Sequence, residues 1–347
     1  MSTQLLLTDE QLPDYLRGRG LFEPDEGIRV TAAGDGNINW VRRATSERPQ
    51  GTSWIVKQAR PALERFPQYQ APTERLLYEA AWIAQARPCD RDGVCPEVRD
   101  LDRSNRVLVL EDLGDALRLD AALEGEAAVE APVLQLASFL GRVHRATSGE
   151  AGLVTRFQNG PMQRLHGDHI FSLPYQEEFP LPPATAEEAG RLRADTRLPG
   201  IAAAAYRRYL EPRGALVHGD VQAGNILLPA AGVKLLDAEI AHVGDPAFDL
   251  GMLLAHLALP ALARGHGERV RKLLVEVWKT YSDAALPEPD AGADPRRAMR
   301  YAGLELLRRT IGAARVAAVA GDSAGLRVIA AGRAWVLQPE APESAPL

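Results

Sequence analysis

The sequence predicts an α+β fold in two lobes: a small antiparallel β-sheet domain at the N-terminus and a larger, mainly helical domain after it. Three observations carry this. Strand-like runs crowd into the first third of the chain, at 28–31, 39–44, 53–58, 98–100 and 107–110. Beyond Gly114 the apolar residues recur mostly at helical period, which divides the chain into 1–113 and 114–347. The 347 residues, 46% of them hydrophobic, are enough to fill two cores.

Residues 1–25 mix Leu5, Leu6, Leu7 and Leu16 with acids and Pro13, which suits a short helical lead-in. The runs 28–31 and 39–44 flank the polar turn Ala33-Gly34-Asp35-Gly36-Asn37, and 53–58 completes a meander with Lys57 near its end. Over 73–86, Leu76, Leu77, Ala80, Ile83 and Ala84 keep helical spacing behind Pro72-Thr73, and Glu79 lies on that helix. Strands near 98–100 and at 107–110 then run into Glu111-Asp112-Leu113-Gly114. In the second part, 133–147 reads as a helix, a Pro-rich passage spans 174–183, and 184–209 is helical again. Helices are expected over 249–256, 268–281 and 295–320, and the polar 338–347 is expected to be loose.

Composition narrows the partners. A net charge of −6 and a pI near 5.7 leave no basic footprint for nucleic acid. Cys89 and Cys95, with no histidine nearby, fall short of a zinc site and read as thiols in a reducing cytosol. Residues 250–263 are interrupted by His256 and Pro260 and are shorter than the roughly 20 apolar residues of a membrane helix. The start of the chain lacks the basic and apolar regions of a signal peptide. A cytoplasmic protein with no membrane partner is expected, and a homodimer is left open.

The most informative segment is Leu216-Val217-His218-Gly219-Asp220-Val221-Gln222-Ala223-Gly224-Asn225-Ile226-Leu227-Leu228, followed by Val233-Lys234-Leu235-Leu236-Asp237-Ala238-Glu239. An apolar strand delivers Asp220, Asn225 follows five positions on, and a second strand delivers Asp237 twelve positions beyond that. Moving a phosphoryl group from ATP to a hydroxyl needs one proton acceptor beside oxygen ligands for Mg²⁺. Asp220 is the candidate base, and Asn225 and Asp237 are candidate metal ligands. Protein kinases order the same groups as His-Arg-Asp, Asn and Asp-Phe-Gly. Here Gly219 replaces the Arg that serves regulation in those enzymes, and Ala238-Glu239 replaces Phe-Gly. A small-molecule hydroxyl acceptor is therefore expected rather than a protein.

A kinase also needs a nucleotide clamp. Alone, Lys57 and Glu79 would be ordinary surface charges. Their order, ahead of a hinge-like strand and the catalytic loop, makes them a candidate phosphate-binding pair. Gly34, Asp35, Gly36 and Asn37 form a turn whose backbone could lie over phosphates, though Asp-Gly and Gly-Asn are also common hairpin turns. Glu111 and Leu113 are candidates for the adenine hinge. A second His-Gly-Asp, His166-Gly167-Asp168, lacks the following Asn and acid-bearing strand; a substrate-loop role is left open for it. His144 reads as a satisfied helix histidine, His218 as a support of the loop backbone, and Asp249 as a helix cap and brace. Glu305, Arg308 and Arg309 could be a solvated face, but one arginine could instead point at the acceptor while its neighbour pairs elsewhere.

With these motifs the chain resembles the aminoglycoside phosphotransferase and choline kinase family, a signature carried by residues 216–251. Asp35-Gly36-Asn37-Ile38-Asn39, Ile55-Val56-Lys57-Gln58-Ala59, Glu111-Asp112-Leu113 and Arg308-Arg309-Thr310-Ile311-Gly312 are similar to the 5-methylthioribose kinase branch. The resemblance implies a two-lobed protein-kinase-like fold and transfer from ATP to the 1-hydroxyl of a thiosugar. It implies Asp220 as base, Asp237 and Glu239 as metal ligands, and Arg308 and Arg309 on the substrate. Asn225 and Ile240 stand where that branch carries Ser and an aromatic residue. An aminoglycoside or amino-alcohol acceptor is the alternative. A non-catalytic pseudokinase fits less well, because base, metal ligands and lysine are all present.

Overall fold

In the computed structural model, which describes residues 4–34, 38–62, 70–125, 127–285 and 293–347, the early strands form one five-stranded sheet. They are β1 (Ile28–Ala32), β2 (Trp40–Ser46), β3 (Ser53–Gln58), β4 (Val98–Asp102) and β5 (Val107–Glu111), paired antiparallel in the order β1-β2-β3-β5-β4. Successive residues of a strand face opposite sides of the sheet. Trp40, Ala44, Val56, Val107 and Val109 therefore share one face, covered by Leu7, by Leu12 and Leu16 of α1 (Leu12–Gly18), and by Phe22. Lys57, next to Val56, projects to the other side, where it meets α2 (Arg75–Ala86). Gln58 is fully buried and ties down the leading segment: its side chain accepts from the Leu7 amide and donates to the Leu5 and Asn105 carbonyls.

Arg75 organises the approach to α2. Its fully buried guanidinium donates to the Asn39 side chain at 2.9 and 3.1 Å and to the carbonyls of Ile38, Arg60, Ala71 and Pro72. A planar fork of five donors can bind several carbonyls at once.

Contacts gather the chain into two compact units, Met1–Arg87 with Cys95–Asp115, and Pro88–Val94 with Ala116–Leu347. In the second, β6 (Leu117–Arg118) and α3 (Leu119–Glu124) lead into α4 (Glu130–Thr147), α5 (Ala151–Arg156), α6 (Gly160–Gly167), a π-helical turn over Asp168–Ser172, α7 (Leu173–Gln176), α8 (Pro183–Ala194) and α9 (Arg197–Leu210). Short strands β7 (Ala215–Val217), β8 (Ile226–Leu228), β9 (Lys234–Leu235) and β10 (His242–Gly244) follow, then α10 (Ala247–Ala263), α11 (Gly267–Ala285), α12 (Pro295–Ile311) and α13 (Asp322–Leu337). α10 is apolar all round and buried along nearly its whole length, as a central helix must be. It packs on α11, α12 and α13, while α4 lies on α11. Among the described residues no helix is long and apolar enough to cross a membrane.

Three expectations are corrected. The helical stretch 184–209 is two helices, because Asp195 turns to extended backbone and its carboxylate takes the Arg197 amide at 3.0 Å. The helix expected over 295–320 stops at Ile311, where Gly312 is extended, and a separate α13 follows. The C-terminal segment is not loose. Arg271 donates to the Glu343 and Ala345 carbonyls, Trp335 Nε1 donates to the Pro346 carbonyl, and Ala345 is buried.

Arg75→Met keeps the length of the side chain and removes every donor. The variant should lose about 3 kcal/mol of stability, since several buried carbonyls are left unpaired. Urea unfolding followed by tryptophan fluorescence checks this, and an unchanged midpoint would remove the anchoring role from Arg75.

Candidate active site

Two short ribbons frame the His218-to-Glu239 region. β7 pairs with β10, setting Val217 opposite His242, and β8 pairs with β9, setting Ile226 opposite Leu235. The loop carrying Asp220 leaves β7 and closes in a 3-10 turn, Ala223–Asn225, before β8. Gly219 turns the chain with φ +84°, and a Cβ there would stand 2.8 Å from the Ile240 carbonyl oxygen. Only glycine meets both conditions. Asn159 holds the facing turn, donating to the Glu239 and Ala241 carbonyls at 2.7 and 3.3 Å.

The loop backbone rests on Asp249. This fully buried carboxylate accepts from the His218 amide at 2.7 Å and the Gly219 amide at 2.9 Å. His144 Nε2 lies 3.2 Å away on the same carboxylate, and its Nδ1 is 3.0 Å from the Tyr281 hydroxyl. Burial works to raise the Asp249 carboxyl, but the His144 hydrogen bond, the nearby imidazoles and the Gly219 amide hold it below its ordinary value. His144 is thus satisfied, as expected, and is also part of the brace. Asp249 braces the loop but caps nothing; Asp245 accepts the Ala247 amide at the start of α10. His218 supports the loop backbone, its Nδ1 accepting from the Asp220 amide at 3.2 Å.

Asp220 is ringed by polar side chains. Its Oδ2 accepts from Gln222 Nε2 at 2.9 Å and from Asn225 Nδ2 at 2.8 Å. Its Oδ1 is buried and has no hydrogen-bond partner among the described residues. Burial pushes the carboxyl up to about 6, against the pull of Arg308, Arg309 and Asn225. Arg309 donates to the Gln222 side-chain oxygen and to Glu305 Oε1, and Arg308 donates to both Glu305 oxygens at 3.1 and 3.2 Å. The two arginines do not part company, as the helical angle between them allows; both close on Glu305. That carboxylate is fully buried and also meets His256 at 3.2 Å. Burial works to raise it, and the two guanidiniums override burial and hold it well below the carboxylate range.

Among the metal-ligand candidates, the Asn225 amide nitrogen is committed to Asp220, which turns its carbonyl oxygen the other way. Asp237 adopts φ +67°, a left-handed backbone that few side chains tolerate and that clusters at functional sites. Glu239 is buried. No three His, Cys, Asp or Glu side chains gather as a metal cage among the described residues. An amide oxygen with one or two carboxylates is nevertheless a donor set that suits Mg²⁺, which takes its remaining ligands from phosphates and water.

In the first unit, Lys57 and Glu79 form a bidentate ion pair at 2.7 and 2.9 Å, both side chains buried. Glu111 ends β5, opposite Trp54, and Leu113 follows it, half-buried. Gly34 is exposed with φ +63°. Asp35, Gly36 and Asn37 lie outside the described residues.

The structure adds residues that the sequence did not single out. Gln222 relays Arg309 to Asp220, Asn159 fixes the 239–241 turn, and Arg75 anchors Asn39. His166 belongs to the second His-Gly-Asp, yet its Nε2 stands 3.7 Å from Asp220 Oδ1. Of these, the charge of Arg75 on an otherwise apolar helix start and the second His-Gly-Asp at His166 were visible signals.

Because Asp249 is held below its unfolded pKa of about 3.9, its stabilising contribution is complete above that pH and fades as pH falls through the lower folded value. Asp249→Asn should cost about 2–4 kcal/mol at neutral pH and flatten acid unfolding in that window. Melting curves of both proteins between pH 2 and 7 test it; parallel acid limbs would dismiss the assignment.

The model of the phosphotransferase enzyme family, APH, matches residues 29–286, a range that holds Lys57, Asp220 and Asp237 and stops before Arg308. Methylthioribose kinase from Cronobacter sakazakii is 28% identical, over 86% of this chain and 84% of its own length. The enzyme of that name from Pectobacterium carotovorum is 28% identical, over 91% and 88%. Two solved structures share the fold at a TM-score of 0.52. Choline kinase from Cryptosporidium parvum is 12% identical, with 92% of this chain and 93% of that one covered. The GDP complex of aminoglycoside 2'-phosphotransferase-IIIa is 16% identical, with 95% and 97% covered. The chain belongs to the phosphotransferase enzyme family and is a kinase, acting on an alcohol group of a small molecule.

Proposed function

We propose that the protein transfers the γ-phosphoryl group of ATP to a hydroxyl of a sugar-like acceptor, with 5-methylthioribose the first candidate. The observation that carries this is the Asp220 carboxylate. One oxygen is held by Asn225 and Gln222, and the other is buried, bare and beside a guanidinium pair. A carboxylate held this way can receive the proton of one positioned hydroxyl. The relatives named methylthioribose kinase match over most of both chains and support a thiosugar as acceptor.

Each group has a proposed part. Asp220 orients and deprotonates the acceptor hydroxyl. Lys57, fixed by Glu79, contacts the nucleotide phosphates, with the 34–37 turn over them and Glu111 and Leu113 at the adenine. Asn225, Asp237 and Glu239 are the residues that would hold Mg²⁺, which neutralises charge on the phosphates when bound. Arg308 and Arg309 steady the acceptor or the transferring group. A polycationic aminoglycoside or a choline-like acceptor would bring positive charge toward two guanidiniums within the field of Asp220, which weighs against that alternative.

Asp220→Ala should cut turnover by about 10²–10⁴ while nucleotide affinity stays near native. Measuring ATP consumption against sugars, amino alcohols and aminoglycosides, with nucleotide binding followed separately, checks both halves. Retained turnover in the variant would sink the assignment of the base.

A further inference from the structure

His166 is not absorbed by the roles above. It ends α6 just before the π-helical turn, is more than nine-tenths buried, and stands edge-on to Phe248 with ring centroids 6.0 Å apart. Its Nε2 lies 3.4 Å from Arg308 Nη1 and 3.7 Å from Asp220 Oδ1. Arginine can only donate, so this long contact leaves the ring hydrogen on Nδ1 and the single lone pair on Nε2; Arg308 Nη1 is also held by the two Glu305 oxygens at 3.2 and 3.1 Å, so an incoming hydroxyl can take that lone pair in its place. Burial and the neighbouring Arg308 hold this imidazole well below its ordinary pKa, consistent with a neutral ring.

Two acceptors therefore face each other. Asp220 Oδ1 and His166 Nε2 are separated by 3.7 Å with no hydrogen between them, and Asp220 Oδ2 is already occupied. A hydroxyl bonds its acceptor at about 2.8 Å. Two hydroxyls on adjacent carbons hold their oxygens a comparable distance apart, so one can donate to Asp220 while its neighbour donates to His166. A mono-alcohol supplies the first hydrogen and not the second.

We propose that His166 binds the acceptor directly, its Nε2 receiving a hydrogen bond from the hydroxyl adjacent to the one phosphorylated, so that this kinase selects vicinal diols such as furanose sugars. The proposal rests on Asp220 as the base and adds a second contact to the same site. It also explains why a His-Gly-Asp without the downstream metal ligands lies at this site: the histidine, not the aspartate, is the part that faces the acceptor. Asp168 instead accepts from the Tyr206 hydroxyl at 2.7 Å, which steadies the turn.

The test compares 5-methylthioribose, its 2-deoxy counterpart and choline as acceptors for the native enzyme, His166→Leu and His166→Gln. Native enzyme should lose at least about tenfold in kcat/KM with the 2-deoxy sugar, because a site built for a hydroxyl is left unpaired. His166→Leu should lose a similar factor on the full sugar and no longer distinguish the two sugars. His166→Gln, whose amide oxygen can accept, should recover part of the preference. Melting temperature and ATP binding of both variants, each expected near native, report on folding. Native turnover of choline or the 2-deoxy sugar at the full rate, turnover of neither sugar, or a His166→Leu variant that keeps the native preference would overturn the proposal. Retained turnover in Asp220→Ala would instead strike the underlying reading of the base.

Discussion

The second unit depends on a carboxylate that never meets substrate. Asp249 takes the two amides at the turn of the catalytic loop, and those amides have no other way to be satisfied inside the protein. Behind it the polarity runs in one direction. The Ala293 amide donates to the Tyr281 hydroxyl at 3.3 Å, the hydroxyl faces His144, and His144 faces Asp249. Donors in such a line reinforce one another in a low-dielectric interior. The line also joins α4, α10 and α11, so the loop takes its position from the helical core and not from its own short strands.

A second buried network surrounds Asp220 and obeys the opposite rule. Glu305, Arg308, Arg309, His256 and Gln222 gather charges that would be costly singly, and they are tolerated because each has a partner. Within this network Asp220 Oδ1, His166 Nδ1 and Arg308 Nε have no hydrogen-bond partner among the described residues.

The legible part of this site was its contiguous part. His218-Gly219-Asp220, Asn225 and Asp237 are readable because a loop and two strands hold them close along the chain, and Lys57 with Glu79 is readable from strand and helix period. The central sheet was equally plain, its strands lying within a residue or two of the periodic runs. The motif at His166 was legible, but its place beside Asp220 was not. It reaches Asp220 only through the packing of α6 and the π-helical turn among Phe171, Tyr209 and Phe248, contacts between distant segments that no spacing encodes. Glu305 could pass for a solvated charge because α12 shows no clean apolar stripe; it is buried on all sides and its polar residues face one another. α13 was missed because Gly325 and Gly332 dilute its helical signal, yet these glycines are there for close approach to Thr185 and Leu307.

The same close approach constrains how this enzyme could change. A Cβ on Gly251 would stand 2.6 Å from the Ala298 carbonyl oxygen, and one on Gly303 would stand 2.7 Å from the Gly332 carbonyl oxygen. α12 is therefore gripped by α10 on one side and α13 on the other, backbone nearly on backbone. Such a helix cannot slide or roll to admit a bulkier molecule without loosening the core. The arginine pair is in effect a fixed wall. Divergence toward new acceptors within this lineage would have to proceed on the α6 side, where a π-helical turn can gain or lose a residue without disturbing the helices that carry the chemistry.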